Sequence, residues 1–226
     1  MVQFRLARRG RSALASDMTV SERPEGTRSR QPRAVQTRQR LLAAGADLFS
    51  REGYHQTSSK RIAAAAGISV GSFYNHFRDK KELLLAVYRE HVDQVHGSIL
   101  AALEEGGLAS GGRKGKKLVE GIIAQTLRLH ALSPEFHRQM IALRYTDPEV
   151  ARVVEAEDRR VAAMLVDMLS GGKAALRVKD LEAAAWVVLA AVEEIVHAIK
   201  MSDVPPVAEG RLISALSDMI HRFLYR

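Results

Sequence analysis

Apolar residues recur every three to four positions along almost the whole chain, and this spacing restricts it to a helical fold. The alternation of apolar and polar residues that would indicate strands is nearly absent. The pattern is clear over residues 35–52, where one stripe consists of Leu41, Leu42, Gly45, Leu48 and Phe49. Such a stripe is one face of an amphipathic helix. The chain is therefore predicted to be all-α, with about nine helices.

Caps and glycines divide this pattern into helices. Gly53 ends the first helix, the hydroxyls at 57–59 precede a short second helix, and Gly67 ends the second. A third helix is predicted over residues 70–77, and a long fourth helix follows Asp79. The glycine-rich stretch 106–116 is predicted to be a loop, and five further helices follow it.

Several classes of protein are disfavoured by what the sequence lacks. It has no cysteine, so it has neither a disulfide framework nor a cysteine nucleophile. Its longest charge-free apolar run, residues 183–192, falls short of the ~18 residues that span a bilayer. It has no glycine-rich nucleotide loop and no nucleophile elbow. We therefore expect a cytoplasmic protein that is not an enzyme, has no cofactor and does not enter a membrane.

Positive charge is concentrated in the first part of the chain. Residues 1–91 carry 17 Lys and Arg against 8 Asp and Glu, whereas the remainder carries 17 against 18. This asymmetry indicates that the first part meets a polyanion. Residues 1–32 are predicted to form a basic, disordered arm, because they are rich in arginine and have few apolar residues between Pro24 and Pro32. The arm is either a solvated tail or an additional source of phosphate contacts.

The stretch GISVGSFYNHFRDKKELL, residues 67–84, indicates what the polyanion is. At about 100° per residue, Phe73 and Phe77 fall on one side of the third helix, facing a core that includes Ile62, Ile68 and Phe49. Small and hydrogen-bonding side chains occupy the opposite side, which suits close approach to base edges in a major groove. Two short helices joined by a glycine turn are a helix-turn-helix, although the same pair also occurs in bundles that bind no nucleic acid. The predicted DNA contacts are Thr57, Ser58, Lys60, Ser69, Val70, Gly71, Ser72, Tyr74, Asn75, His76 and Lys80.

The segment RQRLLAAGADLFSREGYHQTSSKRIAAAAGISVGSFYNHFRDKKELL resembles the DNA-binding domain of TetR-type (tetracycline-repressor-like) transcriptional regulators, over about residues 36–86. One departure is Ser72, where threonine is more usual. The resemblance implies a homodimeric all-α regulator whose third helix lies in the major groove and whose second half binds a small effector. We divide the chain into the arm (1–32), a helix-turn-helix domain (33–80) and a ligand-binding and dimerisation domain (81–226).

The eighth predicted helix, LEAAAWVVLAAVEEIVHAIKM, is apolar on both faces. A helix that is apolar all round must be covered on all sides, either by a second copy of the chain or within one large bundle. Pairing of the last two helices in a dimer is the arrangement that the resemblance implies. The predicted interface residues are Val188, Val192, Ile195, Leu212, Leu216 and Met219.

A ligand pocket is predicted within the same bundle, because such pockets are mostly apolar with a few convergent polar groups. Glu193 and His197 share a helix face, but other histidines show no matching spacing, so no metal site is predicted. Ordinary core packing is the alternative for each pocket residue. The predicted lining residues are Phe136, Met140, Met164, Met168, Trp186, Glu193 and His197.

The sequence therefore favours a ligand-responsive, sequence-specific DNA-binding regulator. We expect a repressor that a small apolar or amphipathic effector releases from a pseudo-palindromic operator in double-stranded DNA. The alternative is an architectural DNA-binding protein that responds to no effector.

Overall fold

The computed structural model describes residues 26–106, 112–129, 134–171, 176–202 and 207–225. Within these ranges the chain is helical apart from turns and one isolated antiparallel bridge between Leu176 and Tyr225. The all-α prediction is confirmed. The helices are α1 (Gly26–Glu52), α2 (Ser59–Ala65), α3 (Val70–Tyr74), α4 (Lys80–Gly106), α5 (Gly112–Leu129), α6 (Pro134–Thr146), α7 (Pro148–Gly171), α8 (Leu181–Lys200) and α9 (Glu209–Leu224).

Three predicted boundaries differ from the structure. The first helix begins at Gly26, so the expected arm overlaps its first turns; residues 1–25 lie outside the described part of the chain. Because helix propagation costs far less than nucleation, polar residues can extend a helix that is packed further along. The third helix ends at Tyr74, since the next two backbone N–H groups bond three rather than four residues back. The predicted loop 106–116 is partly helical, because α5 starts at Gly112.

The first hydrophobic core joins the helix-turn-helix part, α1 to α3, to the start of α4. Phe73 and Phe77 are buried against Phe49 and Ile62, and Ile68 packs against the same cluster, as the helical wheel predicts. Burial of each large apolar side chain contributes roughly 1.5–3 kcal/mol relative to leaving it in water. The buried phenylalanines thus fix which face of α3 points outward.

This core extends into α6 and α7. Phe136, Met140 and Leu143 of α6 and Val150 and Val154 of α7 belong to the same apolar cluster as the helix-turn-helix side chains. One continuous core therefore crosses the predicted boundary between residues 80 and 81. The DNA-binding part and the body are joined by packing as well as by the chain itself.

The second core holds the body together at its far end. It is formed by α5, α8 and α9 with Leu169 near the end of α7, and includes Ile123, Leu127, Val196, Leu216 and Ile220. None of the helices in the described ranges is long and apolar enough to cross a membrane.

Candidate nucleic-acid interface and cavity

The turn between α2 and α3 is built on Gly67. Its φ of +64° lies in the left-handed region that favours glycine. The guanidinium of Arg40, on α1, donates hydrogen bonds to the carbonyls of Ala66 and Gly67, the latter at 3.3 Å. Arg40 thus satisfies carbonyls that the end of α2 leaves unpaired, a role that the sequence pattern did not indicate.

Serine side chains cap both short helices. The Ser58 hydroxyl accepts a hydrogen bond from the Arg61 N–H at 3.3 Å, and the Ser69 hydroxyl accepts one from the Ser72 N–H at 3.1 Å. Each cap satisfies one of the free N–H groups at a helix start. Both serines remain exposed, together with Lys60 on α2.

The outer face of α3 has no large side chain in front of its backbone. A Cβ placed on Gly71 would meet no atom within 4 Å. Val70 and Asn75 are exposed beside it, and Ser72 is half-buried. Tyr74 is 56% exposed, and its ring meets the buried Phe73 ring edge-on at 5.3 Å between centroids. The result is a shallow polar surface with one projecting phenol.

Two predicted DNA contacts have internal partners instead. Thr57 is 2% exposed, and its hydroxyl donates to the Gly53 carbonyl at 2.7 Å. The ammonium of Lys80 donates to the carbonyls of Tyr54 and Thr57 at 2.7 and 2.8 Å and lies 4.3 Å from the Tyr54 ring centroid. The ammonium of Lys80 is thus bound by backbone carbonyls of the turn between α1 and α2. Both side chains therefore face inward, contrary to their predicted role as phosphate contacts.

Exposed positive charge remains around α3. Lys60 makes no ion pair with any described residue, and Arg38 lies with its guanidinium carbon 5.3 Å from the centroid of the Phe77 ring. His76, predicted as a flanking contact, is half-buried at the end of α3. Arg38 was not predicted as a site residue, because the helical wheel of α1 gives its face but not its distance from α3.

A cavity of about 240 Å³ lies inside the body and is bounded by all six helices from α4 to α9. Its wall is mainly aliphatic, with side chains such as Val92, Ile122, Leu165 and Val188. Polar groups enter from α4, α5, α6, α7 and α8. An apolar cavity with a few polar groups is the usual form of a small-molecule site.

Carboxylates predominate among the charged groups of the cavity wall. The Asp158 carboxylate pairs with the Arg144 guanidinium at 3.0 Å, and Glu157 pairs with Arg160 at 2.8 Å. Burial raises the pKa of the Asp158 carboxyl, and Arg144 opposes that shift. Burial, together with the charge of Asp158, raises the pKa of Glu193 to about 7. Glu193 is therefore partly protonated at neutral pH.

Three imidazoles form a row across the wall. The ring centroids of His91 and His137 lie 5.7 Å apart, and those of His137 and His197 lie 5.8 Å apart. Burial lowers the pKa of His91 to about 4 and also lowers the pKa of His197. Among the described residues, no three metal-ligating side chains converge in a geometry that would hold a metal ion.

Five of the seven predicted pocket residues line this cavity: Met140, Met164, Met168, Glu193 and His197. The other two predictions are wrong on position. Phe136 is buried in the first core, and Trp186 points away from the cavity with 38% of its surface exposed. Periodicity places both residues on apolar faces, but it does not show whether such a face meets the cavity, a core or solvent.

The predicted dimer residues are mostly turned inward. Val188 and Val192 line the cavity, and Leu216 is buried in the second core. Ile195 and Leu212 pack partly buried against that core, whereas Met219 is 49% exposed. The large apolar side chains that α8 and α9 expose are instead Trp186, Val187, Met219 and Phe223. We call these four side chains the outer face.

The fourth helix connects the two candidate sites. Near its start, Leu83 and Leu84 are buried in the first core, and further along Tyr88, Val92 and Val95 line the cavity. Both groups belong to one uninterrupted helix. One continuous helix therefore contributes both to the first core and to the cavity wall.

These features define a two-part helical protein of the helix-turn-helix class, and comparison with known families is consistent with them. The family model "Bacterial regulatory proteins, tetR family" matches residues 41–87, and the model "Tetracyclin repressor-like, C-terminal domain" matches residues 116–224. The chain belongs to the tetR family of bacterial regulatory proteins.

Individual relatives support the same assignment. The HTH-type transcriptional activator FasR of Mycolicibacterium smegmatis is 38% identical over 84 residues, which are 36% of this chain and 38% of that protein. The chain thus aligns with well under half of that relative's length. The matched families and this relative are transcriptional regulators, not enzymes.

Solved structures share the fold over most of the chain. A regulator from Mesorhizobium loti assigned to the TetR family has a TM-score of 0.70 at 20% identity, covering 86% of this chain and 99% of its own. A regulator from Saccharomonospora viridis in complex with choline has a TM-score of 0.66 at 19% identity, covering 85% and 99%. At these identities the likeness concerns the fold.

Proposed function

We propose that the protein is an effector-responsive regulator that binds a pseudo-palindromic operator as a homodimer and is released by a small molecule in the cavity. The observation that carries this is the continuity of α4 between the α3 support and the cavity wall. Leu83 is buried in the core that supports the reading helix, and Tyr88 borders the cavity on the same helix. Occupation of the cavity then changes the position of α3, and with it the affinity for DNA.

The exposed surface of α3 supports DNA as the partner. Ser69, Gly71 and Asn75 lie outward, with amide and hydroxyl groups that can reach base edges in a major groove. Tyr74 and Lys60 project beside them and suit phosphate oxygens. In this proposal base contacts specify the sequence, whereas phosphate contacts set the affinity.

The outer face supports the homodimer. Trp186 and Val187 of α8 and Met219 and Phe223 of α9 are large apolar side chains left in solvent by a single chain. A two-fold pairing buries the same patch on both copies. The variant Val187→Glu is expected to yield monomers in analytical ultracentrifugation, whereas Glu182→Gln, an exposed change on the same helix, is expected to leave the dimer intact. A monomer at micromolar concentration for the unmodified protein would contradict the dimer.

Selection of binding sites from a randomised duplex library tests the central proposal. The expected result is a palindrome with half-sites about one helical turn, or a multiple of it, apart. Recovery of no motif, with binding that disappears as salt rises, would instead support an architectural protein. The recovered duplex then serves as the probe for release by effectors.

A further inference from the structure

We propose that the cavity takes an organic cation with an apolar body, whose positive group is held against Glu193. The inference rests on the proposed function in that this cavity is the effector site. It adds the chemical class of the effector, which neither the fold nor the family assigns.

Among the charged groups of the cavity wall, one carboxyl has no ion-pair partner in contact with it in the described part of the chain. Asp158 is paired with Arg144 and Glu157 with Arg160. Among the described residues, none forms a hydrogen bond or an ion pair with the carboxyl of Glu193. Natural proteins rarely bury an acid without a partner, because removing it from water is costly. The missing partner is therefore expected from the ligand.

The surroundings of Glu193 favour a cation over an anion. Glu193 is half-buried in the cavity wall. Loss of solvent and the negative charge of Asp158 raise its pKa to about 7, and the charge of Arg144, which already pairs with Asp158, opposes this only in part. A ligand carboxylate here would meet a second negative charge and an arginine that Asp158 already engages. A ligand cation would instead stabilise the ionised form of Glu193 and remove part of the cost of its burial.

Aromatic groups around the cavity suit a weakly hydrated cation. Tyr88 lines the wall, and burial, together with the charges of Asp158 and Glu193, raises the pKa of its phenol. The rings of His91, His137 and His197 line the same space. An acid beside aromatic faces, within an aliphatic wall, is a combination that binds alkylammonium groups.

Three probes that share an octyl chain and differ in their head groups test the assignment. Octyltrimethylammonium, octanoate and 1-octanol are titrated into the full-length protein by calorimetry, with Glu193→Gln and the exposed neighbour Glu194→Gln as matched variants. We expect the ammonium to bind most tightly. Glu193→Gln should weaken it by at least about tenfold, since one partner of a buried charge pair is lost. Glu193→Gln should leave the affinity for 1-octanol unchanged. Glu194→Gln should leave the affinities for both the ammonium and 1-octanol unchanged.

The pH dependence provides a second readout that needs no assumption about folding of the variant. With a Glu193 pKa of about 7, ionisation rises about tenfold between pH 6 and 8. Affinity of the unmodified protein for the ammonium should rise by about the same factor. The other charged or titratable groups facing Glu193 are Asp158 of α7, Arg144 of α6, Tyr88 of α4 and His197 of α8. Burial raises the pKa of Asp158 and of Tyr88 and lowers the pKa of His197, so it disfavours the charged form of all three. The residues of α5 and α9 at the wall bring no charge in the described ranges.

The outcomes separate this inference from the proposed function. Tighter binding of octanoate, equal binding of 1-octanol, binding of none of the three, or no effect of Glu193→Gln would each overturn the cation assignment. Each probe is also added to the protein bound to its selected duplex. If octanoate or 1-octanol releases the duplex, the proposed function as an effector-responsive regulator is retained and the assignment of a cationic effector is rejected. Failure to select any duplex would reject the proposed function itself.

Discussion

Lys81 and Asp147 form an ion pair with 3.0 Å between the ammonium nitrogen and the carboxylate oxygen. The same ammonium lies 2.8 Å from Glu149. Lys81 stands at the start of α4, and the two acids flank Pro148 at the corner between α6 and α7. Both α6 and α7 border the cavity. The helix-turn-helix part is therefore linked to the cavity through this corner as well as through α4.

Lys81→Met is expected to lower the free energy of unfolding by about 1 kcal/mol or less, because these groups are partly exposed and solvent screens the pair. The hydrogen bond from Lys81 lowers the pKa of Asp147 below its ordinary value. A lowered acid pKa stabilises the fold above the unfolded pKa of about 4, and this stabilisation is lost as pH falls through the folded pKa. Urea unfolding at pH 7 and pH 3 should show a difference between the two proteins at pH 7 that shrinks at pH 3. Equal differences at both pH values would contradict the ion-pair account.

The close approach of α1 and α4 depends on Gly45. A Cβ at this position would collide with the side chain of Leu83, which is fully buried. Gly45→Val is expected to destabilise the protein by about 1–3 kcal/mol through overpacking. Gly121 on α5 is the matched control, because a Cβ there would meet no atom within 4 Å. Gly121→Ala should stabilise by roughly 0.5–1 kcal/mol through helix propensity, and a shared sign for the two variants would refute the packing argument.

Periodicity was sufficient to predict the orientation of α3. Phe73 and Phe77 are four residues apart, and with Phe49 and Ile62 as partners one burial pattern satisfies them all. The same spacing also predicted the all-α fold class and the approximate number of helices. A local pattern is informative here because the helices are short and each has a single apolar face.

Periodicity was insufficient to predict which residues of the body line the cavity and which are exposed. The eighth helix carries apolar residues all round, so Val188 and Trp186 look equivalent in sequence, although one lines the cavity and the other is exposed. Which face turns inward depends on how α8 packs against α7 and α9, and the periodicity of α8 alone does not show this. The internal role of Lys80 was missed for a related reason, since its partners are backbone carbonyls that no side-chain pattern encodes.

Lys80→Met tests whether this residue acts inside the protein or on DNA. With hydrogen bonds to the Tyr54 and Thr57 carbonyls, the lysine should contribute to stability and to the shape of the turn before α2. We expect lower stability and an unchanged salt dependence of DNA binding. Lys60→Met, on the exposed side of α2, should keep the stability but reduce the slope of log affinity against log salt by about 0.9. Fluorescence anisotropy at several salt concentrations measures both slopes, and a reduced slope for Lys80→Met would restore it as a phosphate contact.

Gly71→Ala separates DNA recognition from folding. The added methyl meets no atom of the protein, so stability should be unchanged or rise slightly through helix propensity. If the α3 backbone presses into the major groove, the same methyl meets a base edge, and affinity for the selected duplex should fall by about tenfold or more. Thermal unfolding and anisotropy on one preparation measure the two effects. Unchanged DNA affinity would mean that another face of the helix-turn-helix part meets DNA.

Glu193→Gln should raise the stability of the ligand-free protein at high pH. The folded pKa of Glu193, about 7, lies above that of an unfolded glutamate, so its burial is favourable only while it is protonated. The contribution of Glu193 to the free energy of unfolding is fully present below about pH 4.5. As the pH rises toward 7, this contribution falls by an amount on the order of 3 kcal/mol. The glutamine variant lacks this loss. Compared with the unmodified protein, it should unfold at a higher urea concentration at pH 8 but not at pH 4.5.

The buried histidines also make the free energy of unfolding depend on pH, in the opposite direction, because their lowered pKa values destabilise the fold in acid. Their contribution is the same in both proteins, so it cancels when the free energy of unfolding of the variant is subtracted from that of the unmodified protein at each pH. A flat difference profile would show that Glu193 is ionised and compensated in the ligand-free protein, and the cavity would then need no cation.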